Sequence, residues 1–129
     1  MSHEALDLWQ RALRTLASAR LLVASDPDSA ASRAYYAAFH AVSALFALGG
    51  TTFNKHSAVH SAVHRDLVKK GRWDRSLGED YSSLLVLRQV GDYGGHAHVD
   101  VPDAKRSLEA ASRIVEAVRA AHVNELGES

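Results

Sequence analysis

Hydrophobic residues in the first third of the chain recur first with the period of an amphipathic helix and then as a nearly continuous apolar run. From His3 to about Ala24, apolar side chains fall on one helical face; they are Leu6, Trp9, Leu13, Leu16 and Val23. From Asp28 to Leu48 the chain is apolar nearly all round, as in AYYAAFHAVSALFAL. A helix of that kind is typical of the centre of a bundle. The sequence therefore predicts an outer helix followed by a central one.

Three further helices are predicted after the stop signal GGTTFN. The third spans about residues 55–70 and ends at Gly71, a residue suited to a helix C-terminus. The stretch GRWDRSLGED is predicted to be a polar connection. A fourth helix then runs towards Val90, with the apolar residues Tyr81, Leu84, Leu85 and Leu87. The fifth runs from Pro102 to about Val123, with Leu108, Ala111, Val115 and Val118 facing inward, and the tail NELGES is expected to fray.

Two prolines, Pro27 and Pro102, mark helix starts, each beside aspartates in SDPDSA and VDVPDA. A capping aspartate with proline in the first turn is a common start of a helix. No alternating β-branched run bounded by turns predicts a strand. The pattern therefore predicts a single all-α domain over residues 1–129, an antiparallel up-and-down bundle of four to five helices.

Composition narrows the functional classes. Lysine and arginine together number 15, as do aspartate and glutamate, so any contact with nucleic acid needs a local basic patch. The chain has no cysteine, which excludes disulfides and thiolate metal sites and agrees with a reducing cytoplasm. It has neither the pattern of a signal peptide nor a run of about twenty apolar residues that could span a membrane. We therefore expect a cytoplasmic protein with no membrane partner.

The residues suited to chemistry are concentrated in LRQVGDYGGHAHVD, residues 87–100. On a continuing helix Arg88 and Asp92 form an i, i+4 pair, which can be purely structural. The pair also fits metal-independent RNA cleavage, in which a cation holds the scissile phosphate and a base takes the proton of a 2′-hydroxyl. Arg88 would then bind phosphate, while Tyr93, His96 or His98 would handle the proton. The residues alone leave both interpretations open.

Two other groups of residues allow different interpretations. Arg33 lies at the head of the apolar second helix, where Asp92 is a plausible partner. In HSAVHSAVH, the four-residue spacing of His56, His60 and His64 places their imidazoles on one helical face, as metal-binding pairs require. A metal site there would be similar to the DinB-like bundles, which hold a metal with three histidines. A solvated or capping histidine face is the more common outcome of such spacing.

The ordered set of motifs resembles the HEPN domain, specifically its small stand-alone UPF0332-like subgroup. SRAYYAAFHAVSALF resembles the subgroup's central helix, and FNKHSAV resembles the beginning of its third helix. LVKKGRWDRSLGEDYSSLLVLRQVGDYG is similar to the next connection and helix, and VPDAKRSLEAASRIVEAV to the closing helix. The resemblance covers nearly the full chain. It implies a helical bundle that dimerises, with the fourth-helix motif lining a cleft at the two-fold interface.

The resemblance also implies an activity and a partner. HEPN proteins are often encoded beside a minimal nucleotidyltransferase, with the HEPN protein as an RNase toxin and the transferase as its antitoxin. Active members carry an arginine followed four to six residues later by a histidine. Arg88 matches the arginine, but Tyr93 stands where a four-residue spacer would place the histidine, and seven residues separate Arg88 from His96. The form present here, R-x-x-x-D-Y, is the one usual in this subgroup.

Together these observations predict a metal-independent endoribonuclease that needs no cofactor and works as a homodimer. The predicted catalytic residues are Arg88, Asp92, Tyr93 and His96. The predicted nucleotide- or RNA-binding residues are Arg88, Arg33, His98 and Lys55. Tyr93 is also a candidate for modification with AMP by the partner. The alternatives are a non-catalytic module that binds nucleotide or a nucleotidyltransferase, and a histidine-metal enzyme that uses His56, His60 and a distant histidine.

Overall fold

The computed structural model describes residues 3–122, and within that range the chain forms five α-helices and no β-strand. The helices are α1 (His3–Leu22), α2 (Pro27–Leu48), α3 (His56–Ala62), α4 (Arg75–Tyr93) and α5 (Val101–Ala121). A π-helical segment, Val63–Val68, continues α3. The predicted all-α bundle is confirmed. None of the helices in the described range is both long and apolar enough to cross a membrane.

Helix α2 forms the centre of the bundle, as its apolar sequence predicts. It packs against each of the other four helices. Most of its buried side chains are alanines, with Tyr35 and Val42 as larger members. An alanine side chain ends at Cβ, so neighbouring helices can approach closely while the burial still contributes about 25 cal/mol per Å² of apolar area. This close packing brings α4, and with it Arg88, against the first half of α2.

Aspartates cap the two helices whose starts the prolines mark. The Asp26 carboxylate accepts the backbone N–H of Ser29 at 3.2 Å, and Pro27 follows in the first turn of α2. The Asp100 carboxylate accepts the N–H of Asp103 at 2.7 Å at the start of α5. Each cap satisfies a donor that the first helical turn leaves unpaired. The predicted starts of these two helices are therefore confirmed to within a residue.

The beginning of α4 differs from the prediction. The stretch GRWDRSLGED is not a polar connection throughout, because α4 begins inside it at Arg75. The Asp74 carboxylate accepts the N–H of Ser76 at 3.2 Å and caps the helix, while Trp73 is buried in the core. The prediction fails because this first turn exposes most of its side chains. Gly78 is its buried position, and a glycine contributes nothing to a hydrophobic period.

The other helix ends are close to their predicted positions, with one change of helix type. The third helix is α-helical only to Ala62 and then widens into the π-helical segment, a feature that hydrophobic spacing does not reveal. Helix α1 ends at Leu22, two residues before the predicted end. The predicted end of the fifth helix at Val123 and the tail NELGES lie outside the described residues.

Candidate functional site

The first turns of α2 and the last turns of α4 line a surface pocket of about 320 Å³, called the α2–α4 pocket below. Its lining residues are Ser29, Ser32, Arg33, Tyr36, Gly91 and Asp92. The two helices can approach this closely because residue 91 has no side chain: a Cβ there would lie 2.7 Å from the backbone oxygen of Asp28. The pocket is polar, with hydroxyl, guanidinium and carboxylate groups along its walls.

Arg88 lies behind the pocket in what we call the tyrosine cage, formed by Tyr35, Tyr36 and Tyr93. Its guanidinium carbon is 5.4–5.5 Å from the centroids of the three rings. Its Nη2 donates to the Tyr36 hydroxyl at 2.9 Å, and its Nε lies 3.0 Å from the Asp92 carboxylate. The Arg88 side chain is only 17% exposed. The cation is therefore held in one orientation by the protein rather than by water.

Asp92 pairs with Arg88, its i, i+4 neighbour, and not with Arg33. Its carboxylate also accepts a long hydrogen bond from the Ser32 hydroxyl at 3.4 Å, which links α4 to α2. Arg33 is exposed and lines the pocket; within residues 3–122 it makes no ion pair. The charged residues of the lining are Arg33 and Asp92. Arg88 pairs with Asp92 from outside the lining, so the three side chains together carry a net positive charge, which favours an anionic ligand.

The two histidines that follow the motif lie away from the pocket lining. His98 Nδ1 is 2.8 Å from the Asp28 carboxylate, whose other oxygen accepts the N–H of Val99 at 2.7 Å. These contacts hold the segment after α4 against the start of α2. His96 is exposed in a tight turn, in which the N–H of Ala97 donates to the Gly94 carbonyl at 2.9 Å. Helix α4 stays intact through Gly91 and ends at Tyr93, and His96 is not among the residues that line the pocket.

The Asp28 contacts predict an acid-sensitive contribution to stability. The N–H of Val99, assisted by His98, holds the pKa of Asp28 below its usual 3.8. A folded-state pKa below the unfolded one contributes stability that is present above about pH 4 and is lost as the pH falls through the lowered value. We expect the stability of Asp28→Asn to depend less on pH below about pH 4 than that of the wild type. Denaturant midpoints at pH 7, 5 and 3 measure it, with Asp7→Asn on the exposed face of α1 as the charge-matched control. An equal loss of stability between pH 5 and pH 3 in the wild type and in Asp28→Asn would contradict this role of Asp28.

The row of histidines on the third helix is divided between two neighbours. His60 and His64 both approach the Ser82 hydroxyl through Nε2, at 3.0 and 3.1 Å. His56 instead contacts α2, with its Nδ1 2.8 Å from the Tyr35 hydroxyl. Between residues 3 and 122 no group of three or more His, Cys, Asp or Glu side chains is placed to hold a metal ion. The regular spacing thus serves contacts with α2 and α4 in this structure.

Comparison with known proteins gives a family that fits this helical architecture. The HEPN domain matches residues 5–121. The chain belongs to the HEPN domain family. A curated relative from Thermotoga maritima, described as a UPF0332 protein, is 35% identical over 115 residues, which cover 88% of this chain and 87% of that protein. This relative supports placement of the HEPN domain in the UPF0332-like subgroup.

In this HEPN domain, sequence reasoning identified Arg88 and Asp92 as a pair but missed what surrounds them. Tyr35 and Tyr36 contribute two walls of the tyrosine cage, and Ser32 bonds to Asp92. The hydrogen bond from Arg88 to Tyr36 joins residues 52 positions apart, so no local pattern could reveal it. Lys55, a predicted binding residue, is exposed just before α3 and is not among the residues that line the pocket.

Proposed function

We propose that this HEPN domain cleaves RNA without a metal ion, as the toxin of a toxin–antitoxin pair whose antitoxin is a minimal nucleotidyltransferase. The observation that supports this most is the setting of Arg88, a partly buried cation oriented by the tyrosine cage beside a polar pocket. A planar guanidinium binds phosphate through two parallel hydrogen bonds. Donors fixed in advance in a partly desolvated site are the groups that best stabilise a transition state.

The α2–α4 pocket offers the groups that an RNA phosphate needs. Arg33 is the exposed cation that would first attract the phosphate. The hydroxyls of Ser29, Ser32 and Tyr36 can donate hydrogen bonds to phosphate oxygens. Asp92 would keep the Arg88 guanidinium turned towards the pocket. One RNA linkage carries one negative charge, which matches the net positive charge that Arg33, Arg88 and Asp92 carry together.

The proposed reaction forms a bond between the 2′-oxygen and phosphorus and breaks the bond from phosphorus to the 5′-oxygen. The products are a 2′,3′-cyclic phosphate and a 5′-hydroxyl. A base takes the 2′-hydroxyl proton, and water supplies a proton to the departing 5′-oxygen. Arg88 and Arg33 would stabilise the negative charge that develops on the phosphate oxygens. His96, His98 and Tyr93 are the groups that the sequence predicts for proton transfer and nucleotide binding, and their roles stay predictions.

We also propose that the active unit is a homodimer. Val86 and Tyr93 are large apolar side chains with 59% and 73% exposure. They are seven residues apart on α4, which places them on one face two helical turns apart. A second copy packed on this face would bury both side chains and would cover the Tyr93 ring that contacts Arg88. The same face is where a nucleotidyltransferase partner would block the site.

A non-catalytic module is the second candidate, and the lining of the pocket favours it, because none of the described lining residues is a histidine. Such a module would bind nucleotide or the nucleotidyltransferase through the same arginines. The exposed Tyr93 would then accept AMP from ATP. Its phenol would lose its proton to water, the phenol oxygen would bond to the α-phosphorus, and pyrophosphate would leave. That modification would place a negative charge beside Arg88.

Incubation of the purified protein with single-stranded RNA in excess EDTA tests the proposed function. We expect cleavage that leaves 2′,3′-cyclic phosphate and 5′-hydroxyl ends, at a rate that EDTA does not change. Light scattering on the same preparation is expected to give the mass of a dimer. A folded protein that cleaves no RNA would refute the nuclease and leave the binding module, whereas cleavage only without EDTA would indicate a metal enzyme.

A further inference from the structure

His56, the first residue of α3, is held beside the tyrosine cage by two specific contacts. Its ring lies parallel to that of Phe39, with the centroids 4.2 Å apart and the planes 4° apart. Its Nδ1 is 2.8 Å from the Tyr35 hydroxyl. The residue is exposed, and its Nε2 has no hydrogen-bond partner among residues 3–122. One ring nitrogen is therefore fixed by the protein while the other stays available to a ligand.

His56 and Arg88 border the same two tyrosine rings. The His56 ring centroid is 5.8 Å from that of Tyr35 and 5.7 Å from that of Tyr36. The Arg88 guanidinium carbon is 5.5 Å and 5.4 Å from the same two centroids. Tyr36 in turn lines the α2–α4 pocket. The imidazole of α3 and the guanidinium of α4 thus border the same two side chains on α2. His56 is not itself among the residues that line the pocket, and Tyr36 connects it to the pocket.

The surroundings of His56 keep it neutral and able to accept a proton. Partial desolvation of its ring, followed by the positive charge of Arg88, lowers the pKa of His56 below its usual 6.5, although the residue as a whole is exposed. The titratable or charged groups around it are Lys55 next to it in the chain, Tyr35, Tyr36 and His40 on α2, and Arg88 on α4. No carboxylate is among these described groups to stabilise the imidazolium. At neutral pH the ring is therefore an unprotonated base.

The Tyr35 hydroxyl suits a proton-transfer histidine because it can both donate and accept. Burial raises the pKa of Tyr35, which keeps its phenol protonated. When the hydroxyl accepts from Nδ1–H, the lone pair of His56 lies on Nε2. Once Nε2 takes a proton, Nδ1–H continues to donate to the same oxygen, so the imidazolium needs no rearrangement. Tyr35 is thus a positioning residue for His56.

We propose that His56 is the base that works with Arg88. The motif on α4 places no histidine in the pocket lining that could take this role. The inference rests on the proposed RNA cleavage. His56 Nε2 takes the proton of the 2′-hydroxyl, the 2′-oxygen bonds to phosphorus, and the bond to the 5′-oxygen breaks. Water protonates the 5′-oxygen, and the hydroxide that remains is neutralised by the proton that His56 carries. The histidine therefore comes from α3 and not from the segment after α4.

Cleavage rates of the wild type, His56→Gln and His96→Gln test this assignment. The matched control is His122→Gln, at the C-terminal end of α5. General-base catalysis is worth roughly 10²–10⁴-fold, so His56→Gln is expected to lose about that factor while His122→Gln keeps the wild-type rate. Added imidazole is expected to restore part of the activity of His56→Ala. In the wild type the rate is expected to fall with acid only below pH 6.5, because the pKa of His56 lies below that value.

The outcomes separate this inference from the proposed function. Suppose that the wild type and His56→Gln both cleave RNA and Arg88→Ala does not. That result would support the proposed nuclease activity and overturn the role of His56. Loss of cleavage activity in His96→Gln but not in His56→Gln would also overturn the role of His56. A wild type that cleaves no RNA overturns both. Circular dichroism checks that each variant is folded. Tyr35→Phe removes the positioning hydroxyl, so we expect a smaller loss of cleavage rate than in His56→Gln and a changed dependence of that rate on pH below neutrality.

Discussion

Arg88→Ala is expected to lower the rate of RNA cleavage by about 10²–10³-fold, the usual loss when one preorganised transition-state donor is removed. The loss follows from the geometry, because the tyrosine cage and Asp92 hold the guanidinium in a single orientation beside the pocket. In Arg88→Ala the cation left to bind the phosphate is Arg33, which is exposed to water, and this weakens its electrostatic effect. The fold is expected to persist, since the Asp92 carboxylate left behind is 28% exposed and can be hydrated.

Two further variants make the Arg88 result specific. Arg88→Lys keeps the charge but loses the planar fork, so a rate between those of the wild type and Arg88→Ala is expected. Arg113 is the matched control: it is also ion-paired, to Asp80 at 2.9 Å, but it lies on α5 and is 57% exposed. Single-turnover cleavage with excess protein measures all of these rates. Activity of Arg88→Ala within about threefold of the wild type would rule out phosphate binding by Arg88 in the transition state.

Trp9→Ala is expected to destabilise the fold by about 3–5 kcal/mol, the usual cost of truncating a buried tryptophan. Trp9 is fully buried on α1 in the main core cluster, and the Arg119 guanidinium carbon lies 5.3 Å from its ring. The surrounding helices are packed through alanines, which cannot rearrange to fill a large cavity. The unfolding free energy from urea titration, followed by circular dichroism, measures the effect.

Trp9→Phe is the control for this variant. The indole N–H of Trp9 has no hydrogen-bond acceptor among the described residues, so phenylalanine removes volume without breaking a hydrogen bond. A clearly smaller loss than that of Trp9→Ala is expected. If the two variants lost equal free energy, the effect would not come from the cavity. The change lies on α1, so the cleavage rate of folded protein is expected to be unchanged.

The helices were largely predictable because their signals are local. The apolar runs of α1 and α2 and the proline-aspartate starts of α2 and α5 depend on residues within one or two turns of each other. The start of α4 was not predictable in this way. Its first turn is mostly exposed, and Trp73 just before it is buried only because the rest of the bundle covers it. The π-helical segment after α3 equally leaves no mark in the hydrophobic spacing.

The sequence by itself determined an all-α bundle with a central apolar helix, membership of the HEPN family, and Asp92 as a partner for Arg88 or Arg33. All of these follow from spacing within a helix or from motifs in order along the chain. Only the tertiary structure decided which side chains surround Arg88, because Tyr36 lies 52 residues away in the chain. It likewise placed His98 on Asp28 and His56 beside Tyr35. Contacts between helices depend on their relative rotation and packing, which the period of one helix does not contain.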